Sequence, residues 1–179
     1  MLGMIFTELV EMVEDTFSPE LADEILTAAN LPNGGAYTAV GYYNAEEILS
    51  LVTLLSEKTG TPVPDLVQAF GRYLFNSFTR SHAELLADKH SLFDLLATLD
   101  NDIHKEVLRL YSEATLPTFR VISQSSDCME LEYRSKNHLE PLAIGLIEGA
   151  GNYFGHQQLI ISQQPDPGSN DATVFRVQI

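Results

Sequence analysis

Basic residues and cysteine are scarce in this chain. Its 179 residues include 10 lysines and arginines against 25 aspartates and glutamates, which gives a formal net charge of −15. A surface this acidic repels phosphate backbones and anionic bilayers, which disfavours nucleic-acid and membrane partners. The single cysteine, Cys128, excludes an intramolecular disulfide framework and any multi-cysteine zinc or iron–sulfur site. Such sparing use of cysteine agrees with a reducing compartment.

Long apolar runs are also missing. No run reaches the roughly 18 to 20 residues that a membrane-spanning helix needs. The start, Met1-Leu2-Gly3-Met4-Ile5-Phe6, has no basic residue before its apolar stretch, and Glu8 and Glu11 follow at once, unlike a signal peptide. Hydrophobic residues make up 45% of the chain, which is typical of a globular protein. We therefore predict a soluble, cytoplasmic protein.

The familiar motifs of enzymatic catalysis do not occur. The chain contains no G-x-S-x-G, no glycine-rich phosphate loop and no H-E-x-x-H. Cys128 follows Asp127 and lies close to Glu130 in sequence, and acidic neighbours make a cysteine a poor nucleophile. We therefore expect that the protein is not an enzyme.

The chain changes character near Pro117. Before it, apolar residues recur at helical spacing, and after it short β-rich runs alternate with turn residues. Apolar spacing and cap residues predict helices over about 3–16, for about ten residues from Pro19, over about 45–59, from Pro64 through Phe78, near 83–88 and from Ser91 to Tyr111. Ser18, the Asn44 and Glu47 pair, and Gly60 supply the predicted caps.

The second part of the chain is predicted as ββαββ. The strands are expected at Phe119–Ser123, Met129–Tyr133, Gln158–Ser162 and Thr173–Gln178, with a helix at about Leu139–Phe154 and a hairpin loop at Pro165–Gly168. This pattern predicts one α+β domain over residues 1–179. A helical subdomain of about 1–116 would pack against a subdomain of about 117–179 that holds a four-stranded antiparallel sheet.

Among the five histidines of the chain, His104 has a distinct setting. Val107, Leu108 and Tyr111 follow it by three, four and seven residues, which places it on or beside the apolar stripe of its helix. A neutral imidazole that faces a pocket is a good metal ligand, above all for iron in a porphyrin. A lone histidine at an apolar face is more often a core residue bonded to a carbonyl, so both interpretations remain open here.

A second candidate site lies at a strand end, from Glu132 to Asn137. Tyr133 and Ser135 alternate to the same side of the strand, so their hydroxyls can converge on one anion. An ordinary strand end with solvated polar groups explains these residues equally well.

Taken in order, these features resemble the heme nitric oxide/oxygen binding family, H-NOX, over essentially the whole chain. That family includes bacterial stand-alone sensors and the heme domain of soluble guanylate cyclase. The most specific stretch is Ile103-His104-Lys105-Glu106-Val107, continuing to Leu116-Pro117. The other matching segments are Met1–Phe6, Ser56–Gly60, Phe70–Phe75 and Leu142–Phe154. The resemblance implies that His104 is the proximal ligand of a heme b, that Pro117 presses on the porphyrin, and that Tyr133 and Ser135 hold the propionates.

Asn137 departs from the family pattern, because it stands where the Tyr-x-Ser-x-Arg motif has arginine. Arginine gives a charged, forked grip on carboxylates, and asparagine gives neutral hydrogen bonds alone. We therefore expect weaker heme retention, and a heme-free interaction module of the same fold is the alternative. The cysteine–histidine zinc site of some relatives has no counterpart in Pro165–Ala172, so we predict no structural metal.

The resemblance also implies an apolar pocket on the other side of the heme. Its residues are aliphatic or aromatic, namely Ile5, Leu9, Leu74, Phe78, Leu142 and, on the same helix as Leu142, Leu146. Leu142 stands where oxygen-binding members have a tyrosine. Bound oxygen gains from a hydrogen-bond donor, and nitric oxide and carbon monoxide need less such help. The resemblance thus implies a sensor that binds NO and CO, excludes O2 and regulates a separate partner, such as a histidine kinase or a cyclic-di-GMP enzyme.

Overall fold

The chain before Pro117 is helical. The computed structural model describes residues 1–166 and 171–179. The helices of these described residues are α1 (Gly3–Thr16), α2 (Pro19–Ala28), α3 (Ala45–Thr59), α4 (Val63–Ser81), α5 (Leu92–Thr98), α6 (Lys105–Leu110) and α7 (Glu140–Tyr153), with a 3-10 turn at Ala83–Leu86 and a π segment at Asp100–His104. Among the helices of these described ranges, none combines the length and apolar character needed to cross a membrane.

Side-chain caps and one glycine define the ends of α2 and α3 where the sequence predicts them. Ser18 Oγ accepts a hydrogen bond of 3.1 Å from the Leu21 amide at the start of α2. Asn44 and Glu47 form a capping box at the start of α3, and Gly60 ends that helix with φ 72°. Each cap satisfies backbone groups that a helix end otherwise leaves unpaired. The predicted boundaries of these two helices are confirmed.

The sheet follows Pro117. Its strands are β1 (Thr118–Gln124), β2 (Cys128–Arg134), β3 (Ile160–Pro165) and β4 (Ala172–Gln178). Their order is β1-β2-β4-β3, and each neighbouring pair is antiparallel. Because α7 lies between β2 and β3 in sequence, the ββαββ order and the α+β class are confirmed. The third strand begins later than predicted, since a turn after α7 includes Gln158. The hairpin loop predicted at Pro165–Gly168 lies partly outside the described residues.

Two apolar clusters form the core. The first joins the N-terminal helices and includes Phe6, Leu9, Leu51, Leu55, Phe70 and Leu74. The second joins the sheet to α5 and α7 and includes Leu92, Phe93, Met129, Leu131, Ile147 and Phe175. Leu146 on α7 packs against both clusters. That helix therefore connects the helical part of the chain with the sheet.

Two glycines let α4 and α7 cross with their backbones in contact. A Cβ on Gly71 would lie 2.8 Å from Gly145 Cα, and a Cβ on Gly145 would lie 2.0 Å from the carbonyl oxygen of Gln68. No other residue type allows so close an approach. Glu148 stabilises the crossing, because it accepts hydrogen bonds from Arg72 Nη1 at 2.6 Å and Gln68 Nε2 at 2.8 Å.

The helical region predicted from Ser91 to Tyr111 is divided in the structure. α5 ends at Thr98, the π segment follows, and α6 begins at Lys105. Within the π segment, the His104 amide donates to the carbonyl oxygen of Leu99 over 2.9 Å, five residues back along the chain. A π turn of this kind accommodates one extra residue in a helix. Apolar spacing does not reveal such an insertion, so the sequence predicts one uninterrupted helical region.

Candidate functional site

An apolar cavity of about 260 Å³ lies inside the protein. Its walls come from the first turn of α1, from α4, the 3-10 turn, α5, the π segment, α6, the connector to β1, the ends of β1 and β2, and α7. The helical part and the sheet part of the chain therefore both contribute to it. Cavities of this type, apolar with a few convergent polar groups, are the usual binding sites of small ligands.

Nine of the ten predicted site residues line this cavity: His104, Pro117, Tyr133, Ser135, Ile5, Leu74, Phe78, Leu142 and Leu146. Leu9 does not. It is 1% exposed and packs within the first apolar cluster. α1 contributes its start alone, through Met4 and Ile5. Leu9, one turn further along, lies among the other N-terminal helices, which corrects its predicted place in the pocket.

His104 is held by a carboxylate at the start of the π segment. Its Nδ1 lies 2.8 Å from Asp100 Oδ1, and its side chain is 16% exposed. Asp100 Oδ2 accepts a second hydrogen bond, of 2.8 Å, from the Phe119 amide at the start of β1. A carboxylate at Nδ1 keeps the ring proton on that nitrogen, which leaves the lone pair on Nε2. Nε2 is thus the atom of His104 that is available to a metal.

Burial lowers the pKa of His104 below its ordinary value, and the nearby Asp100 carboxylate opposes this effect without overcoming it. Desolvation disfavours the charged imidazolium. The neutral ring, which is the form that ligates iron, is therefore favoured in the folded protein.

Asp100 is a site residue that the sequence pattern alone does not identify. The signal for Asp100 in the sequence is its spacing of four residues from His104, which places the two side chains on one helical face. Asp102 and Glu106, two residues to either side of His104, would not face the ring on a regular helix. The spacing alone does not show that Asp100 also accepts a hydrogen bond from the Phe119 amide, 19 residues further along the chain. The cavity is also lined by residues that the sequence pattern alone does not identify, among them Met4, Leu95, Leu96, Ile103, Val107 and Phe119.

Three polar side chains, those of Tyr133, Ser135 and Asn137, line the cavity at the end of β2. The Tyr133 hydroxyl lies near the Ser135 side chain, and Ser135 Oγ accepts a bond of 3.2 Å from the Asn137 amide. Burial raises the pKa of Tyr133 to about 12, so its hydroxyl stays a neutral hydrogen-bonding group. The structure brings the two predicted hydroxyls together.

No lysine or arginine is among the described residues that line the cavity. Arg134, which is adjacent to Tyr133, belongs to the opposite face of β2. There its Nε donates to Glu132 Oε1 over 2.8 Å. Glu106 is the acidic lining residue of the described chain, and Arg109 pairs with it at 2.6 Å. A carboxylate ligand in the cavity would therefore meet neutral hydrogen-bond partners at the end of β2.

The donor set fits heme. Nε2 of His104 suits an iron atom, the apolar walls suit a porphyrin ring, and the Tyr133, Ser135 and Asn137 groups suit propionates at its edge. Elsewhere in residues 1–166 and 171–179, no group of three histidine, cysteine or acidic side chains is arranged to hold a metal ion. The predicted absence of zinc from Pro165–Ala172 remains a prediction, since that stretch includes residues outside the described ranges.

The family model described as Haem-NO-binding matches residues 2–162. The fold is similar to that of the Fe(II) unliganded H-NOX protein from K. algicida, with 30% identity, a TM-score of 0.90, and coverage of 99% of this chain and 96% of that one. The S. oneidensis H-NOX protein in the Fe(II)NO state has 27% identity, a TM-score of 0.89 and coverage of 99% and 98%. The Shewanella woodyi H-NOX in the Fe(II)CO state has 37% identity, a TM-score of 0.84 and coverage of 99% and 94%.

A eukaryotic signalling protein is also similar. Soluble guanylate cyclase gcy-35 of Caenorhabditis elegans is 25% identical over 175 residues, which are 92% of this chain and 24% of the cyclase. The chain thus spans about a quarter of the length of that protein. The family model covers most of the chain, and the cavity is lined by a histidine that can ligate iron. This chain therefore belongs to the Haem-NO-binding family, the family of the H-NOX proteins.

Proposed function

We propose that this chain, as one domain over residues 1–179, is a heme-based nitric oxide sensor. His104 would hold the iron of heme b through Nε2, and Pro117, Tyr133 and Ser135 would contact the ring and its propionates. When bound, the heme supplies a ferrous iron that coordinates NO or CO. The observation that carries the proposal is the 2.8 Å contact of His104 Nδ1 with Asp100, because it leaves Nε2 free on a ring that lines the cavity.

Ligand choice would follow from the apolar residues of the cavity. Ile5, Leu74, Phe78 and Leu142 carry no hydrogen-bond donor on their side chains, and all four line the cavity. Oxygen gains more than NO or CO from such a donor. We therefore infer that the domain binds NO and CO and excludes O2. H-NOX relatives occur in Fe(II)NO and Fe(II)CO states, which supports NO and CO as ligands.

His82 is a polar lining residue near these apolar side chains. Its ring centroid lies 6.1 Å from that of Phe78. Nδ1 of His82 lies 3.6 Å from Glu84 Oε1, and the side chain stays 32% exposed. Its position at the end of α4 and its exposure favour a place at the solvent edge, so the apolar character of the pocket interior is retained.

Signal output would begin at His104. Release of His104 from the heme would shift the π segment and α6. Because Asp100 also accepts the Phe119 amide, a displaced imidazole would change the position of β1 as well. A separate cytoplasmic signalling protein, such as a histidine kinase or a cyclic-di-GMP enzyme, would respond to this conformational change. The domain itself would not be an enzyme. The similarity to part of a guanylate cyclase supports a signalling role.

The absorption spectrum tests this proposal. Protein produced with an ample heme supply should show a Soret band, and the reduced form should bind NO and CO but form no stable complex in air. His104→Gly should lose the native ligation, and His90→Gly, which changes an exposed histidine, should retain it. A persistent oxygen complex would overturn the exclusion of O2. An unchanged ferrous spectrum in His104→Gly would remove His104 from the iron.

A heme-free interaction module of the same fold is the second candidate. The absence of lysine and arginine from the described lining residues favours it, because propionates usually pair with a cation. The same spectrum decides between the two functions. Protein that lacks a Soret band despite added heme would establish the heme-free module.

A further inference from the structure

A buried lysine connects two walls of the cavity. The side chain of Lys89 is 4% exposed. Its Nζ donates to Asp102 Oδ2 over 2.5 Å and to Asp88 Oδ2 over 3.3 Å. Its backbone amide donates to the carbonyl oxygen of Leu86 over 3.0 Å. Lysine is almost never buried unless it is paired, so the short bond to Asp102 is the interaction that holds this ammonium group in place.

Asp102 belongs to the π segment, two residues before His104. Its side chain is 45% exposed and lies near Thr98 at the end of α5. Lys89 connects Leu86, which its amide contacts, with Asp102, which its ammonium group contacts. Leu86 lines the cavity, and so do Ile103 and His104, the two residues that follow Asp102. The lysine therefore spans from the 3-10 turn to the segment that carries the histidine.

We propose that Lys89 is a positioning residue for His104. π turns are rare and occur mostly as single insertions in α-helices, so the surroundings must favour this one. Asp100 ties the π segment to β1 through the Phe119 amide, and Asp102 ties it to the 3-10 turn through Lys89. With both carboxylates engaged, the imidazole has one defined height in the cavity. The proposal rests on the proposed function for its spectroscopic part alone.

Two variants remove the connection in different ways. Lys89→Met keeps the apolar stem and removes the charge. Asp102→Asn keeps the shape of the partner and leaves the buried ammonium with Asp88, whose side chain is 76% exposed. Loss of one partner from a buried pair is more disruptive than loss of the charge itself, so Asp102→Asn should have the larger effect. Lys58→Met is the matched control, since Lys58 also pairs with a carboxylate, that of Glu24 at 2.8 Å, but the two side chains are 48% and 56% exposed.

Hydrogen exchange of the His104 amide, measured on each full-length protein, is the first readout. We expect exchange about tenfold or more faster in Lys89→Met and Asp102→Asn, because the π hydrogen bond to Leu99 opens more often. Lys58→Met should match the unmodified protein. Wild-type exchange rates in both variants would overturn the proposal. If one variant fails to fold by circular dichroism, the other still decides.

The iron–histidine stretching band of the ferrous protein, recorded by resonance Raman spectroscopy, is the second readout. A merely structural lysine would leave this band unchanged, and a positioning lysine would shift it to lower frequency in both variants. Faster exchange with an unchanged band would overturn the positioning role. Absence of heme from the unmodified protein would overturn the proposed function instead, and the exchange measurement would still decide whether Lys89 holds the π segment.

Discussion

Asp100 and His104 meet across a single π turn, with 2.8 Å between Oδ1 and Nδ1. The same carboxylate binds the first amide of β1 that faces it, that of Phe119. One aspartate therefore sets both the tautomer of the ring and its distance from the sheet. Partners of this kind, one step removed from a metal, affect affinity strongly.

Replacement of Asp100 should weaken heme retention. Asp100→Ala removes both hydrogen bonds, and we expect heme to be lost about 10- to 100-fold faster to a scavenger protein. Asp100→Asn keeps an acceptor oxygen, so its rate of heme loss should lie between those of the unmodified protein and Asp100→Ala. Asp23→Ala, a change of an exposed aspartate on α2, is the control. Equal loss rates in all four proteins would show that the carboxylate does not support the ligand.

The stability of the heme-free protein should fall in mild acid because of His104. Burial holds its pKa below the ordinary value of 6.5. The unfolded state then binds the proton more readily, so this contribution is complete above about pH 6.5 and is lost as the pH falls through the lower, folded value. Urea unfolding from pH 8 to pH 5 should show this loss in the unmodified protein and a flatter profile in His104→Gln. His90→Gln, at an exposed site, should keep the original profile, and a flat profile in the unmodified protein would contradict the prediction.

Arginine at position 137 should tighten heme binding. Asn137 lines the cavity beside Ser135, and a guanidinium there gains a charge-assisted bond to a propionate worth about 1.5–3 kcal/mol. Heme transfer to a scavenger should be at least about tenfold slower in Asn137→Arg. Asn152→Arg adds the same charge at an exposed position of α7 and should have no effect. Unchanged transfer in both variants would show that the missing arginine does not limit retention.

Tyrosine at position 142 should create oxygen binding. Leu142 lies on α7 and lines the cavity, and a phenol there would supply the hydrogen-bond donor that the side chains of Ile5, Leu74 and Phe78 lack. Spectra of reduced Leu142→Tyr in air should show an oxygen complex if the hydroxyl lies within about 3 Å of the ligand. Leu49→Tyr, at a position that is 57% exposed, serves as the control. A spectrum identical to that of the unmodified protein would mean that a donor at this position does not reach the ligand.

Enlargement of Gly145 should destabilise the protein. The new Cβ would lie 2.0 Å from the carbonyl oxygen of Gln68, a backbone atom that cannot yield without separating α4 and α7. We expect Gly145→Ala to lower the free energy of unfolding by about 1–3 kcal/mol. Gly151→Ala on the same helix meets the flexible end of Leu159 at 3.0 Å and should be close to neutral. Equal stabilities of the two variants, from urea titrations, would contradict this account of the crossing.

Local signals in the sequence predict much of the fold. Ser18, Asn44 and Gly60 mark helix ends because their own side chains or backbone freedom satisfy the terminal groups. Apolar spacing identifies His104 as a residue at an inner face, and strand alternation identifies the Tyr133 and Ser135 pair. In each case the information resides within a few neighbouring residues.

Long-range contacts are what the sequence conceals. Leu9 and Ile5 are equally apolar. Ile5 lines the cavity and Leu9 lies in the core because only the start of α1 reaches the cavity. The hydrogen bond from the Phe119 amide to Asp100 joins residues that lie 19 positions apart, and the pairing of Lys89 with Asp102 joins residues that lie 13 positions apart. In the sequence Lys89 resembles an ordinary surface lysine, since no neighbour indicates that it is buried.

Because of the π segment, the number of residues between Leu99 and His104 could change by one without loss of the helical path. The hydrogen bond from the His104 amide now reaches back five residues to Leu99. A chain one residue shorter between them would reach back four, which is the spacing of an α-helix. Such a chain could follow the same path from Leu92 to Leu110 as one continuous helix, with the histidine still turned to the cavity. A single-residue deletion at the exposed Asn101 is thus a change that this wall of the cavity is built to accept, whereas a deletion inside α4 or α7 would rotate every following side chain by about 100°.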